Sequence, residues 1–420
     1  MRATKNSGFE WIGEIPTSWE LYKGKYMFTQ RNLRGNTIEL QLLSPTQKYG
    51  VVPQSVYEGR SGMNAVKLNE NANLSALKTI HKGDFCISLR SFQGGFEYSE
   101  YEGVVSPAYQ VFYPVVKIAR GYYKYLFKDS GFIEKMNSYT MTLRDGKNIA
   151  FADFGNTYIP CPPVDEQQRI ADFLDTKCAE IDALTADIQT QIDTLEQYKR
   201  SVITETVTKG LNPNAEMKNS GIEWIGDMPA HWDVIRGKYI LRYMQKPVRK
   251  DDGVITCFRD GEVTLRSNRR EDGFTMSDKE IGYQGIDVGD LVVHGMDGFA
   301  GAIGISDSRG KASPVLNVLD TKQNKRYIMY YLRSMAYSDV FLALATGIRV
   351  RSCDLRWNKL AELSYPVPPL NEQNAIVKHI DSVLSKADAV IADKKAQLAT
   401  LDEYKKSLIF EYVTGKKEIV

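Results

Sequence analysis

One stretch of the chain occurs twice without a gap. PPVDEQQRIADFLDTKCAEIDALTADIQTQIDTLEQYKRSVITETVTKG fills 162–210, and PPLNEQNAIVKHIDSVLSKADAVIADKKAQLATLDEYKKSLIFEYVTGK follows at a constant offset of 206 residues. Glu166/Glu372, Gln167/Gln373, Ile170/Ile376, Asp175/Asp381, Tyr198/Tyr404 and Lys199/Lys405 coincide. In a chain of 420 residues, a repeat of this length means one unit built twice. Each copy is long enough to bury its own core.

The start of the unit is duplicated as well. NSGFEWIGEIPTSWELYKGKY (6–26) returns as NSGIEWIGDMPAHWDVIRGKY (219–239), and these segments hold Trp11, Trp19, Trp224 and Trp232, four of the five tryptophans. They read as anchors that pack the leading loop onto the domain, since identical aromatic contacts in both copies would not discriminate between different ligands. Between lead and long stretch the copies diverge. Strand-like runs at 85–89 and 291–294 and helix-like runs at 122–136 and 327–344 keep a shared order, so the expectation is two homologous α/β (α+β) domains. The boundaries predicted are 1–161 for the first globular domain, 162–211 for the first long helix, 212–367 for the second domain, 368–415 for the second helix, and a tail at 416–420.

The repeated stretch begins with a Pro-Pro pair, and Asp165 and Asn371 stand as capping side chains for the first turn. A seven-residue register follows. Leu174, Ile181, Ile188, Leu195 and Val202 fall at one seam position, Ile170, Leu184 and Tyr198 at the other; in the second copy Ile380, Ala387, Leu401 and Leu408 alternate with Ile376, Val383, Val390 and Tyr404. Polar residues interrupt the seam at Lys177, Gln191, Lys394 and Gln397. They either fix register or reach past the seam to solvent. Helices of about 40 residues would span roughly 60 Å, whereas the linker at 211–220 reaches only about 35 Å. The two helices are therefore expected to pair antiparallel, in a pseudo-two-fold object with a globular domain at each end.

Charge is close to balanced, 54 basic against 52 acidic side chains, which argues against strong unaided binding to nucleic acid. It is also uneven: residues 1–161 carry 19 basic and 14 acidic side chains, residues 162–211 carry 5 and 10. The long stretch is thus a poor DNA surface and a better protein-binding one. Five cysteines without C-x-x-C spacing fit a reducing, cytoplasmic setting, and no apolar run suits a membrane span. Motifs for a phosphate loop, a dinucleotide fold, amino-methyl transfer or a nuclease are missing. The E-x-K at 216–218 lies in the linker. No metal site is expected from the four histidines, whose spacing matches no ligand set.

What remains is a binding architecture: two different recognition domains at a fixed separation. Double-stranded DNA suits that geometry, because two-fold proteins match spaced half-sites, and Arg, Asn and Gln in glycine-flanked segments suit purine edges. The candidate readers are Gln47, Lys48, Arg90, Gln93, Arg144, Lys147 and Asn148 in the first domain. In the second they are Arg259, Arg266, Asn268, Arg269, Arg270, His294, Arg349, Arg351 and Arg356. Individually, each also reads as a solvated or ion-paired loop charge. The alternative function is a noncatalytic scaffold joining two protein-binding domains.

The motifs PPVDEQQRI and PPLNEQNAI resemble the P-P-x-x-E-Q-x-x-I signature of type I restriction-modification specificity subunits. WIGEIPTSW and WIGDMPAHW resemble the family's leading motif, and GDFCISLRSFQGG, EGVVSPAY and QKYGVV its target-recognition phrases. The likeness runs through the whole chain twice, except that HGMDGFAG stands where the first domain has LRSFQGGF, so individual readers transfer poorly to the second domain. The resemblance implies two target recognition domains reading one half each of a bipartite site, and an antiparallel coiled coil that docks two modification subunits. It also implies that S-adenosylmethionine, ATP and magnesium belong to modification and restriction partners, with no cofactor and no catalytic residue on this chain.

Overall fold

The computed structural model describes residues 2–34, 41–63, 76–87, 95–139, 149–269, 281–344 and 355–419. It divides into two compact units, Met1–Ile188 with Ala396–Val420, and Gln189–Lys395. The division falls within the long helices Val164–Lys209 and Leu370–Val413, so each unit holds one globular domain and a piece of both helices.

In the first unit a four-stranded sheet runs in the order Phe28–Arg31, Gln110–Pro114, Phe85–Ile87, Phe96–Tyr98, all antiparallel. Alternation sends Phe85 and Ile87 to the main core and Cys86 to a smaller core on the other face with Leu43, Val51 and Val111. Over the main face lie the helices Arg120–Leu126, Ser130–Ser138 and Phe151–Asn156. The helix expected at 122–136 is broken, because Asp129 leaves the helical conformation and accepts the Phe132 N–H, starting a new helix. The second unit repeats the order with Leu241–Met244, Leu316–Thr321, Leu291–His294 and Ile303–Ile305. Its covering helix Lys325–Tyr337 gives way to Val340–Ala343 at Asp339, whose φ is 54°.

The two cores differ in material. Phe28, Phe85 and Phe112 of the first domain stand where the second has Leu241, Leu291 and Leu319. Topology survives because a core mainly requires apolar volume in the right pattern.

Each domain flows into its long helix through a two-stranded ribbon, Glu20–Lys23 with Tyr158–Cys161 in one unit and Asp233–Arg236 with Ser364–Val367 in the other. The Glu-Gln pair after the two prolines bolts the joint. Gln167 is fully buried; its carboxamide accepts from the Ala119 N–H at 2.9 Å and donates to the Pro162 carbonyl at 2.7 Å. Gln373 does the same with Asn324 at 2.9 Å and Pro368 at 2.8 Å. Glu166 pairs with Arg2, whereas Glu372 accepts from the Trp232 indole N–H at 3.1 Å and faces His231 at 2.8 Å. Trp19 and Trp232 are wholly buried, as the anchor reading expects. Asp165 and Asn371 lie inside the first turns rather than ahead of them; the helix-opening bonds go to the Pro163 and Pro369 carbonyls.

Within each unit the long helices run antiparallel. In the first, Phe173 packs against Tyr412 with ring centroids 4.5 Å apart, and Lys405 reaches Asp182 at 2.6 Å. In the second, Lys199 reaches Asp388 at 2.6 Å, the same pairing with the copies exchanged, and Lys394 donates to Gln191. The last contact joins two of the expected seam interruptions to one another. Lys177 instead pairs with Glu180 on its own exposed helix face.

The heptad needs correction. Leu174, Ile181, Ile188, Ile380 and Leu408 are buried, and Leu195, Val383 and Leu401 half-buried, but Leu184, Tyr198, Val390 and Tyr404 are exposed. The buried line passes instead through Ile170, Leu174, Cys178, Ile181, Ile188 and Ile192, an advance of about 3.7 residues per turn. A straight helix drifts by roughly 20° per heptad against a strict 3.5 repeat. That drift turns Leu184, Tyr198, Val390 and Tyr404, the later residues of one seam position, out to solvent.

Candidate nucleic-acid interface

The described candidate readers lie in or beside one two-stranded hairpin of each domain and the loops around it. In the first domain Gln47 and Lys48 form the exposed turn between Leu43–Thr46 and Gly50–Pro53. Thr46 closes it, its hydroxyl accepting the Tyr49 N–H at 3.1 Å and donating to the Gly50 carbonyl at 3.0 Å. Lys128 donates to the Gln47 carbonyl at 3.3 Å and to the buried Glu97 carboxylate at 2.7 Å. Burial pushes the Glu97 carboxyl up to about 7, with the Lys128 charge pulling the other way. The Lys48 ammonium and the Arg60 guanidinium both lie over the Tyr49 ring, at 5.3 and 5.6 Å. Arg60 and Lys128 escaped the sequence reading because they sit on or beside helices, Arg60 on Gln54–Ser61 and Lys128 just after Arg120–Leu126, and not in the strand-flanking loops from which the candidates were drawn.

In the second domain the corresponding hairpin, Ile255–Cys257 with Val263–Leu265, carries more charge. Arg259 at its tip donates to Asp297 at 2.8 Å. Arg269 reaches Asp260 at 2.7 Å and Glu262 at 3.2 Å and covers the Phe258 ring at 4.2 Å. Its hydrogen bond to Asp260 raises the guanidinium pKa further. Arg266 donates to the Thr256 hydroxyl at 3.3 Å, and Asn268 to that of Thr264 at 2.8 Å. Arg333, also absent from the sequence reading, donates to the Asp260 carbonyl at 2.6 Å from the covering helix. Gly301 lets the tip pack close: its φ is 96°, and a Cβ there would lie 2.7 Å from the Arg259 carbonyl oxygen.

His294 has a bracing role. Its Nδ1 accepts the N–H groups of Met296 and Asp297 at 3.2 and 2.9 Å, and burial lowers its pKa, so the imidazole stays neutral and holds the loop that carries Asp297. Arg356 is exposed at the start of helix Trp357–Glu362. Arg90, Gln93, Arg144, Lys147, Asn148, Arg270, Arg349 and Arg351 lie outside the described residues. The structure thus joins Arg259 to the loop of His294 and clusters Arg269 and Arg333 at the hairpin tip.

Arg259 and Arg269 are held by carboxylates of their own domain. Such exposed, solvent-screened pairs contribute little, so an incoming phosphate or base edge can replace the carboxylate. Among the described residues no group of His, Cys, Asp and Glu side chains could hold a metal ion, and no helix is long and apolar enough to cross a membrane.

The chain is thus a duplicated α+β scaffold that keeps its joints and varies its loop tips. Residues 16–194 match the type I restriction modification DNA specificity domain. Similar proteins include the putative type I restriction enzyme MjaX specificity subunit of Methanocaldococcus jannaschii, 24% identical over 268 residues, and the MjaVIII specificity subunit of the same organism, 24% identical over 299. The first alignment covers 61% of this chain and 59% of the relative, the second 66% and 67%. The match thus spans about three fifths of the MjaX relative's length. Among solved structures, a chain from a type I restriction-modification system studied for complex assembly and conformational transition shares the fold with a TM-score of 0.70 at 14% identity, covering 96% of this chain and 99% of its own. The HsdS subunit from Thermoanaerobacter tengcongensis follows with a TM-score of 0.50 at 14% identity, covering 98% and 100%. The chain is similar to type I restriction-modification specificity subunits, through a specificity-domain match over residues 16–194 and through these relatives.

Proposed function

We propose that this chain is the noncatalytic DNA-recognition subunit of a cytoplasmic type I restriction-modification complex. Each globular domain reads one half of an asymmetric, bipartite site on double-stranded DNA. The paired long helices fix the spacing of the halves and dock two methyltransferase subunits, which bring S-adenosylmethionine; restriction subunits bring ATP and magnesium.

The observation that carries this reading is the contrast between joints and tips. Gln167 and Gln373 make equivalent bonds, while the tips differ, Gln47-Lys48 in one domain and a cluster of Arg259, Arg269 and Arg333 in the other. A protein reading two unlike half-sites requires that contrast, since phosphate and scaffold contacts can repeat but base contacts cannot. The near-balanced charge fits a subunit whose DNA affinity depends on partners.

Replacing residues 1–161 with the equivalent region of another specificity subunit, in the assembled methyltransferase, tests this. Methylation-aware sequencing should show one half of the modified site changed and the other kept. Loss or change of both halves together would refute modular reading.

A further inference from the structure

The strand that carries no candidate reader holds the reading end together. In the second domain Asn317 lies in the central strand Leu316–Thr321, opposite Val293, and is only 3% exposed. Its side-chain NH2 donates to the Val293 carbonyl at 3.1 Å and to the Leu355 carbonyl at 3.0 Å. Val293 opens the loop of His294 and Asp297, on which Arg259 is held; Leu355 immediately precedes Arg356. The Leu355 N–H in turn donates to the Gly295 carbonyl at 2.8 Å, and its side chain packs where a Cβ on Gly298 would meet it at 2.7 Å.

The first domain has the same device with a longer side chain. Gln110 occupies the equivalent place, since Pro114 pairs with Phe28 as Thr321 pairs with Leu241. Its NH2 donates to the Ile149 carbonyl and its oxygen accepts the Phe151 N–H, both at 2.8 Å. Ile149 is the repeat counterpart of Leu355. One residue earlier, Lys78 donates to the Tyr109 carbonyl at 2.7 Å and its counterpart Gln284 to the Leu316 carbonyl at 2.8 Å. Two unlike domains have therefore kept a side-chain bolt between the same strand position and the same return segment.

We propose that Asn317 and Gln110 are positioning residues for sequence readout. Each ties the return segment to the central strand, and Asn317 thereby makes Arg259, through Asp297, and Arg356 one rigid reading unit. This rests on the DNA-recognition reading above. A buried carbonyl deprived of its donor shifts toward another partner, and a reader displaced by about 1 Å loses a bidentate base contact while phosphate contacts adapt. The consequence is lost discrimination in one half-site.

The test uses the full chain assembled with its methyltransferase subunits and a pool of duplex DNA randomised across both half-sites, sequenced after selection. Asn317→Ala should lower discrimination about tenfold or more at one half-site and leave the other at wild-type level; Gln110→Ala should do the reverse. Asn317→Gln, which places the first domain's carboxamide in the second, should recover most of the loss, and hydrogen exchange over 325–337 reports whether the domain stays folded. Should Asn317→Ala unfold its domain, the Asn317→Gln and Gln110→Asn pair decides instead, with retained half-site selectivity expected. Unchanged discrimination in both alanine variants, or equal loss at both half-sites, overturns the proposal. Failure of the wild-type assembly to select any sequence overturns the DNA reading itself, a separate outcome.

Discussion

Replacing Gln167 by leucine isolates the bond that joins domain to long helix. Leucine nearly preserves side-chain volume, so the cavity contribution is small, but the Ala119 N–H and the Pro162 carbonyl, now held at 2.9 and 2.7 Å, lose their partners in a site with no solvent exposure. Each buried group left unpaired costs about 1–3 kcal/mol; with the glutamine's own desolvation relieved, the net expected is about 2–4 kcal/mol. A single melting midpoint is poorly defined for a chain of two units, so the assay is amide hydrogen exchange, which resolves local opening. Protection in helix Arg120–Leu126 and strand Tyr158–Cys161 should fall by about 30- to 1,000-fold, while Lys325–Tyr337 and Ser364–Val367 keep theirs. Gln373→Leu should invert the pattern. A change below about 0.5 kcal/mol in either variant, or equal loss in both units, would refute the claim that this carboxamide bolts its own joint.

Two further outcomes are expected. Glu97 has a folded-state pKa near 7, raised from the ordinary 4.5, so its sign is opposite to that of the usual ion-paired carboxylate: the folded state holds the proton more tightly. The first unit should lose roughly 3 kcal/mol as pH rises from about 4.5 past 7, with Asp129, raised to about 6 by burial, adding at the lower end; Glu97→Gln should remove the upper part of that slope in urea titrations between pH 5 and 8. Gly415→Ala should destabilise the first unit by about 2–4 kcal/mol, because its φ is 72° and a Cβ would lie 2.4 Å from Pro16 Cδ, whereas Gly221→Ala, with φ 72° and open space around it, should cost about 1 kcal/mol. Equal costs in urea melts would contradict the role assigned to the Pro16 contact.

Several features were legible because they are local or repeated. The 206-residue offset foretold two homologous domains and two long helices, and the short linker foretold their antiparallel course, seen within each unit in the Lys405–Asp182 and Lys199–Asp388 pairs. The seam register was half legible: a heptad and an 11-residue repeat agree over one or two turns and then part, which is why Ile181 is buried and Tyr198 is not. The candidate interface was legible as segment types only. That Arg269 is gripped by Asp260 and Glu262, that His294 braces a loop, and that Arg60, Lys128 and Arg333 join the tips are tertiary facts. No spacing in the chain encodes them.

The two domains also separate what a fold can vary from what it must keep. Phenylalanines at 28, 85 and 112 have become leucines at 241, 291 and 319 without altering strand order, since apolar contacts are non-directional and neighbours can repack. The polar joints have hardly moved: Tyr125 and Tyr330 donate to Asp175 and Asp381 at 2.6 and 2.5 Å, and Tyr122 and Tyr327 to the Val413 and Val207 carbonyls at 2.6 and 3.1 Å. A buried hydrogen bond has one geometry, and losing either partner exposes the full desolvation cost of the other. Divergence therefore runs through the core and the loop tips, whereas Gln167, Gln373 and these tyrosines keep equivalent partners. A frame pinned in this way can change what each domain's tip contacts without rebuilding that domain, which is the property that the proposed reading of two half-sites requires.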